Sequence, residues 1–219
     1  MSPSLRFRLL APLALLALGG CSLMAGGNKD PITIYAPVVR IAADPAWPAV
    51  DWQLAVAKPS ASRLIDSPRI NVRPTPGELE VYRGATWAQP ATDMLEDILL
   101  RGFEDSSRIG AAARVATGIR SDYKLTVDLR RFESDYRGGD QPAATIELNA
   151  KLIHSMDQRV VASRTFVQAQ PAATPAIADV TDAFEQVLQR VASELVGWTL
   201  LSGQDDQLRQ RDGRVPATP

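Results

Sequence analysis

One cysteine and one histidine are all that 219 residues hold of the two side chains from which most metal and nucleophilic sites are built. A zinc site needs several such ligands at set spacings, so none can be assembled from Cys21 and His154 alone, and no disulfide can close within the chain. His154 falls at the end of an alternating segment beside a turn, where a structural role is the reading. No glycine-rich loop follows a strand and opens a helix in the manner of a phosphate cradle, and Gly138-Gly139 sits between two strand patterns instead. Charge of one sign is also missing. The 24 basic and 25 acidic residues give a formal net charge of −1, moving to about −3 without Arg6 and Arg8, which leaves no overall electrostatic footprint for nucleic acid or for anionic lipid headgroups and points to a protein or lipid-handling partner. The acidic pairs Glu96-Asp97 and Asp205-Asp206 read as solvated surface. With no acid and base placed to converge on a substrate, the chain reads as neither an enzyme nor a cofactor or metal protein. A periplasmic hydrolase built on carboxylates stays open as an alternative.

The N-terminus carries the clearest signal. Arg6 and Arg8 precede an apolar run, Leu9 to Leu18, broken only by Pro12. Spanning a bilayer takes roughly 20 apolar residues, so the run fits the core of a secretory leader, residues 1–20. It ends in Leu18-Gly19-Gly20-Cys21, which resembles the lipobox of bacterial lipoproteins, where the cysteine thiol is acylated before cleavage. An ordinary leader cut near a cysteine is the other reading, but an exported chain with a single thiol has nothing to pair it with. Cys21 is therefore assigned as the attachment point for lipid, palmitate included. Ser22 after it, rather than Asp, points to the outer membrane. Residues 21–31, with Gly26-Gly27-Asn28, read as a flexible tether.

Beyond the tether, residues 32–203 carry one domain's worth of periodic sequence. Short strands are expected at Ile32 to Tyr35 and Val50 to Val56, an extended segment at Ser67 to Arg73, and a strand at Glu78 to Arg83 after the Pro76-Gly77 turn. Met94, Leu95, Ile98 and Leu99 recur at helical spacing after Trp87, in a helix that starts at Pro90 or Thr92 and stops near Gly102. Gly110 to Ala116 reads as another short strand. Tyr123, Leu125, Val127 and Leu129 then alternate with polar neighbours, as do Ile146, Leu148, Ala150 and Leu152. With Val160 to Val167 these make an antiparallel meander. After Thr174-Pro175, the stripe Val180, Phe184, Val187, Leu188, Val191, Leu195 and Trp198 marks a second amphipathic helix. It is expected to end at Gly203 and to give way to a mobile polar tail, 204–219. The fold class follows: an α/β (α+β) two-layer sandwich, a largely antiparallel sheet with both helices on one face.

The segment Ser67 to Phe103 contains S-P-R-I-N-V-R-P, then G-E-L-E-V-Y-R-G-A-T-W-A-Q-P, then M-L-E-D-I-L-L-R-G-F. It resembles the ABC-type transport auxiliary lipoproteins, which include the paraquat-inducible protein C group. Arg69, Asn71, Tyr82 and Trp87 occupy that family's motif positions, and the later strands and closing helix follow in its order. Where members begin with two adjacent aromatics, this chain has only Tyr35. The resemblance implies a non-enzymatic subunit on the periplasmic face of the outer membrane. Its partners would be an MCE-domain protein and the inner-membrane permease and ATPase that drive lipid transport, and the resemblance leaves a homo-oligomeric ring as an open expectation. A structural lipoprotein assisting another outer-membrane machine is the alternative. Within the motif, Trp87 admits two readings. It buries its ring to anchor the helix, or it joins Arg69 and Tyr82 on a surface that meets a partner.

The anchor is testable directly. Cys21→Ser should leave the domain folded and move it from the membrane fraction to the soluble one, because each buried CH₂ of an acyl chain contributes about 0.8 kcal/mol of attachment. Fractionation after a salt wash, with circular dichroism on the released protein, reads both.

Overall fold

Alternation along one long strand organises the whole sheet. The computed structural model describes residues 31–213, so the leader, Cys21 and the last six residues lie outside it. From Ile32 onward the chain forms one unit. Its elements are β1 (Thr33–Tyr35), β2 (Val50–Val56), β3 (Ser60–Ala61), β4 (Arg69–Arg73), β5 (Glu80–Trp87), α1 (Ala91–Ser106), β6 (Ile109–Arg114), β7 (Tyr123–Asp135), β8 (Ala143–His154), β9 (Val160–Pro171) and α2 (Ile177–Arg211). A 3₁₀ turn, Val115–Thr117, follows β6.

β7 is the spine. β8 pairs antiparallel along its full length, and β9 pairs antiparallel with β8, giving the expected meander. The other edge of β7 is shared by three strands in turn. β2 takes Tyr123 to Leu125, β3 takes Asp128 and Leu129, and β4 takes Ser134 and Asp135, all parallel. Two branches therefore leave β7. One continues from β2 to β6 in parallel, the other from β4 antiparallel to β5 and then parallel to β1. The sheet is mixed, antiparallel in the meander and at β4–β5.

The expected phase of β7 holds only to Leu129. Tyr123, Leu125, Val127 and Leu129 are buried, and then the inward positions become Phe132 and Ser134. An extra residue, Arg130, stands between the pairs Leu129↔Leu148 and Arg131↔Glu147, and such a bulge turns the following side chains over. Arg131, Glu133 and Asp135 thereby move to the face away from the helices.

α1 and α2 pack on the other face in one continuous core with the sheet. Every position of the predicted α2 stripe is buried except Trp198, which is half-buried with its ring edge-on to Phe166. Gly102 and Gly203 do not end their helices; α1 runs to Ser106 and α2 to Arg211. Both glycines are seats for large side chains instead. A Cβ on Gly102 would stand 2.5 Å from Ile41 Cδ1, and one on Gly203 would stand 2.5 Å from Trp52 Cζ2. Gly197 is pressed more tightly still by the Trp47 indole. Ile41 and Trp47 belong to the Pro- and Ala-rich stretch between β1 and β2, which is a strap lying across both helices. Val38 N in that strap donates to Glu185 Oε2 at 2.9 Å.

The reading of 204–219 as a mobile tail fails over Gln204 to Arg211, because Asp206 gives that last turn of helix something to hold. It is 2% exposed, accepts the Tyr123 hydroxyl at 3.1 Å and Gln210 Nε2 at 2.7 Å, and pairs with Arg159 Nη2 at 3.0 Å. Burial, and then the adjacent Asp206 carboxylate, raise the Tyr123 phenol above its ordinary range. Glu96 is buried as well, 3.5 Å from Arg114 Nε, so each acidic pair read as solvated has one member inside. Partners distant in sequence make this burial tolerable.

Phe184 and Leu188, both fully buried, should each cost about 2–5 kcal/mol when truncated to alanine. Gln186 and Gln189, exposed on the opposite side of α2, should tolerate alanine within about 0.5 kcal/mol. Urea unfolding of the four variants separates the two faces.

Candidate interaction surface

The motif residues lie on the β4–β5–β1 branch, and a second bulge arranges them. Arg69 pairs with Thr86 and Asn71 with Val81, so Ile70 alone stands opposite four residues, Tyr82 to Ala85. Gly84, with φ +69°, supplies the left-handed turn that this excess of chain requires. Tyr82 and Trp87 are five apart, an odd spacing that would send them to opposite faces of a regular strand. With the bulge between them, both pack against the core.

Trp87 is 1% exposed, edge-on to Phe132 at 5.9 Å and to Phe184 at 5.2 Å between ring centroids. Phe132 and Phe184 stack at 4.9 Å. The surface reading of Trp87 is corrected accordingly: in this chain it is the anchor that joins β5 to β7 and α2. Among the described residues its Nε1 has no hydrogen-bond partner, so the ring is held for its apolar area rather than its polar handle.

Tyr82 is half-buried. Its hydroxyl lies 3.0 Å from Ser134 Oγ, and burial pushes the phenol up to about 12. It walls an open groove of about 470 Å³, in the range usual for ligand clefts, with Val72, Pro74, Val81, Arg83 and Tyr136. Arg69 is exposed on the opposite face of the sheet. The three motif residues thus share a branch but not a surface: one is inside, one lines a groove, and one faces solvent.

Beside them lies a charge network that the sequence did not announce. Arg73 grips Glu133 with two hydrogen bonds, Nε to Oε1 at 2.8 Å and Nη2 to Oε2 at 2.9 Å. Arg131 donates to Glu133 Oε1 at 2.8 Å and to Asp135 Oδ2 at 2.6 Å. Glu133, buried, holds the Arg73 guanidinium above its ordinary value, chiefly through that hydrogen bond. Each acid meets a base, so the network fastens β4 to β7. The β7 bulge creates it, and the only signal in the sequence is the three-residue step from Leu129 to Phe132.

His154 Nδ1 lies 2.8 Å from Asp157 Oδ1 across the β8–β9 turn, the structural role expected, and the same contact lowers the Asp157 pKa. Among the described residues no group of three or more His, Cys, Asp or Glu side chains is placed to hold a metal ion, and no helix is long and apolar enough to cross a membrane.

A family model described as the ABC-type transport auxiliary lipoprotein component matches residues 33–196. The chain belongs to this family. A crystal structure of protein XCC0632 from Xanthomonas campestris is 68% identical, with a TM-score of 0.78 over 80% of this chain and 99% of that one. Another crystal structure, of an uncharacterized protein, shares the fold at 15% identity and a TM-score of 0.59, over 76% of this chain and 97% of that one. The uncharacterized protein bll6063 of Bradyrhizobium diazoefficiens is 27% identical over 193 residues, 84% of this chain. The chain spans 50% of the length of that curated relative. The family's description is that of a lipoprotein component auxiliary to ABC-type transport.

Trp87→Ala should lower stability by about 3–5 kcal/mol, whereas Trp87→Phe, which keeps most of the ring area and removes the unpaired N–H, should cost less than half of that. Arg69→Ala should be neutral within about 0.5 kcal/mol. Equilibrium unfolding of the three variants ranks them.

Proposed function

We propose that this auxiliary lipoprotein is a non-enzymatic docking subunit of an MCE-type lipid transport system. It works from the periplasmic face of the outer membrane, to which Cys21 is acylated. The family match across residues 33–196 carries the reading, since it spans the strap, both branches of the sheet and most of α2. The Leu18-Gly19-Gly20-Cys21 motif and Ser22 support the anchor and its membrane.

The sequence inventory agrees with a role in recognition rather than chemistry. Its buried carboxylates Glu96, Glu133, Asp135 and Asp206 are each engaged by an arginine, which leaves them as fasteners rather than acids and bases poised for substrate. In this system an inner-membrane permease and ATPase supply the energy, an MCE-domain protein forms the passage, and the auxiliary lipoprotein completes it at the outer membrane.

Tagged protein extracted from envelopes in mild detergent should bring down an MCE-domain protein together with the permease and ATPase. Recovery of a different outer-membrane machine would favour a structural assembly role. Recovery of neither would remove the transport reading.

A further inference from the structure

β1 presents an exposed apolar strip where an edge strand would ordinarily be blunted by charge or proline. Ile32 and Ile34 are 66% and 65% exposed, while Tyr35 beside them turns inward onto the core. The register continues that strip across the branch. Ile34 pairs with Thr86, and Thr86 pairs with Arg69, so the three form one row on the face away from the helices. Thr86 Oγ1 is occupied by Pro68 O at 2.6 Å, which leaves an aliphatic side chain at one end of the row and a guanidinium at the other.

That guanidinium is uncommitted. Among the described residues, Arg69 has no carboxylate within ion-pair distance, and neither does Arg63 in the loop before β4. Asp66, in that same loop, accepts the Thr92 hydroxyl at the start of α1. Leu64, 40% exposed, lies next to Arg63 in the loop whose backbone holds Asn71. Exposed aliphatics interleaved with unpaired arginines are the chemistry that suits a membrane interface, where apolar groups enter the acyl boundary and cations meet anionic headgroups.

We infer that this face of the β1–β5–β4 branch rests on the anionic lipid surface of the membrane that anchors the chain; the inference depends on the acylation of Cys21 proposed above. The length of intervening chain selects the membrane over a protein. Ile32 follows Cys21 by eleven positions, and eleven residues reach at most about 40 Å, so the strip is never far from the bilayer. A stable protein interface buries about 1,200–2,000 Å² in total, far more than two isoleucines and their neighbours offer. A patch already tethered to its target needs only a weak contact, because the tether supplies the effective concentration. The contact would hold the domain in one orientation instead of leaving it to swing.

A site-specific probe tests this in the acylated full chain. Cys21 is the only cysteine and its thiol is consumed by the lipid, so Ile34→Cys offers one thiol for an environment-sensitive fluorophore, with Ser163→Cys on exposed β9 as the control. Both proteins are reconstituted into phosphatidylethanolamine vesicles with and without phosphatidylglycerol and challenged with an aqueous quencher. The probe at 34 should be quenched about fivefold more slowly than the control only when phosphatidylglycerol is present, and Arg69→Glu should remove most of that protection. Equal quenching at 34 and 163 in acylated protein would overturn the patch. So would protection that ignores both headgroup and arginine but rises with protein density, which would mark a second copy as the occupant. Mass spectrometry of the same sample reads acylation separately, so a chain lacking acyl groups would overturn the anchor, and this placement with it.

Discussion

Three rings, Trp87, Phe132 and Phe184, meet where β5, β7 and α2 come together, and the rest of the domain depends on that contact. β5 belongs to the branch that leaves β7 through β4, and only two register pairs, Val72↔Ser134 and Arg73↔Asp135, tie β4 to β7 directly. So short a ladder is a weak joint by itself. The aromatic cluster fastens it from the helix side, and the Arg73–Glu133–Arg131–Asp135 network fastens it from the other. Hydrophobic burial supplies most of the energy, and the ionic side fixes the register, because a slipped pairing would cost buried Glu133 both of its hydrogen bonds from Arg73.

The helix layer is held by a complementary device. Gly102, Gly197 and Gly203 give up side chains so that Ile41, Trp47 and Trp52 can seat against α1 and α2. A glycine inside a helix costs about 1 kcal/mol relative to alanine, and here the close approach of a large apolar side chain offsets it. Two of the three seated residues lie in the strap, which follows β1 directly. The segment that follows β1 is thereby locked onto the helices before the first long strand begins.

These features bear on function through orientation. In the docking role proposed, a lipid-held domain would be free to swing, and a partner that reaches across the periplasm would favour one presentation. β1 enters the sheet beside β5, so whatever positions β1 positions the motif branch, the Tyr82 groove and the free arginines together. Trp87 serves that arrangement from inside, by setting where the β5 bulge sits, rather than by touching a partner.

Local periodicity is a property of the chain, and it was legible. Val50–Val56 forms the strand expected residue for residue, the α2 stripe faces the core, and the meander pairs as its alternation requires, since patterning of period 2 or 3.6 declares which side is apolar before any partner is known. The leader and lipobox, expected from the linear sequence, lie outside the described residues. What only the tertiary structure decided are the relations between distant residues. Whether Trp87 faces in or out depended on a bulge at Gly84 opposite Ile70, and whether Gly203 ends a helix or seats Trp52 depended on β2, about 150 residues earlier in the chain. Asp206 read as a solvated charge because its partners, Tyr123 and Arg159, lie far away in sequence, and only the fold brings them within hydrogen-bond distance. A one-residue insertion such as Arg130 exchanges the faces of everything after it, and no local pattern carries that information until the neighbouring strand is in place.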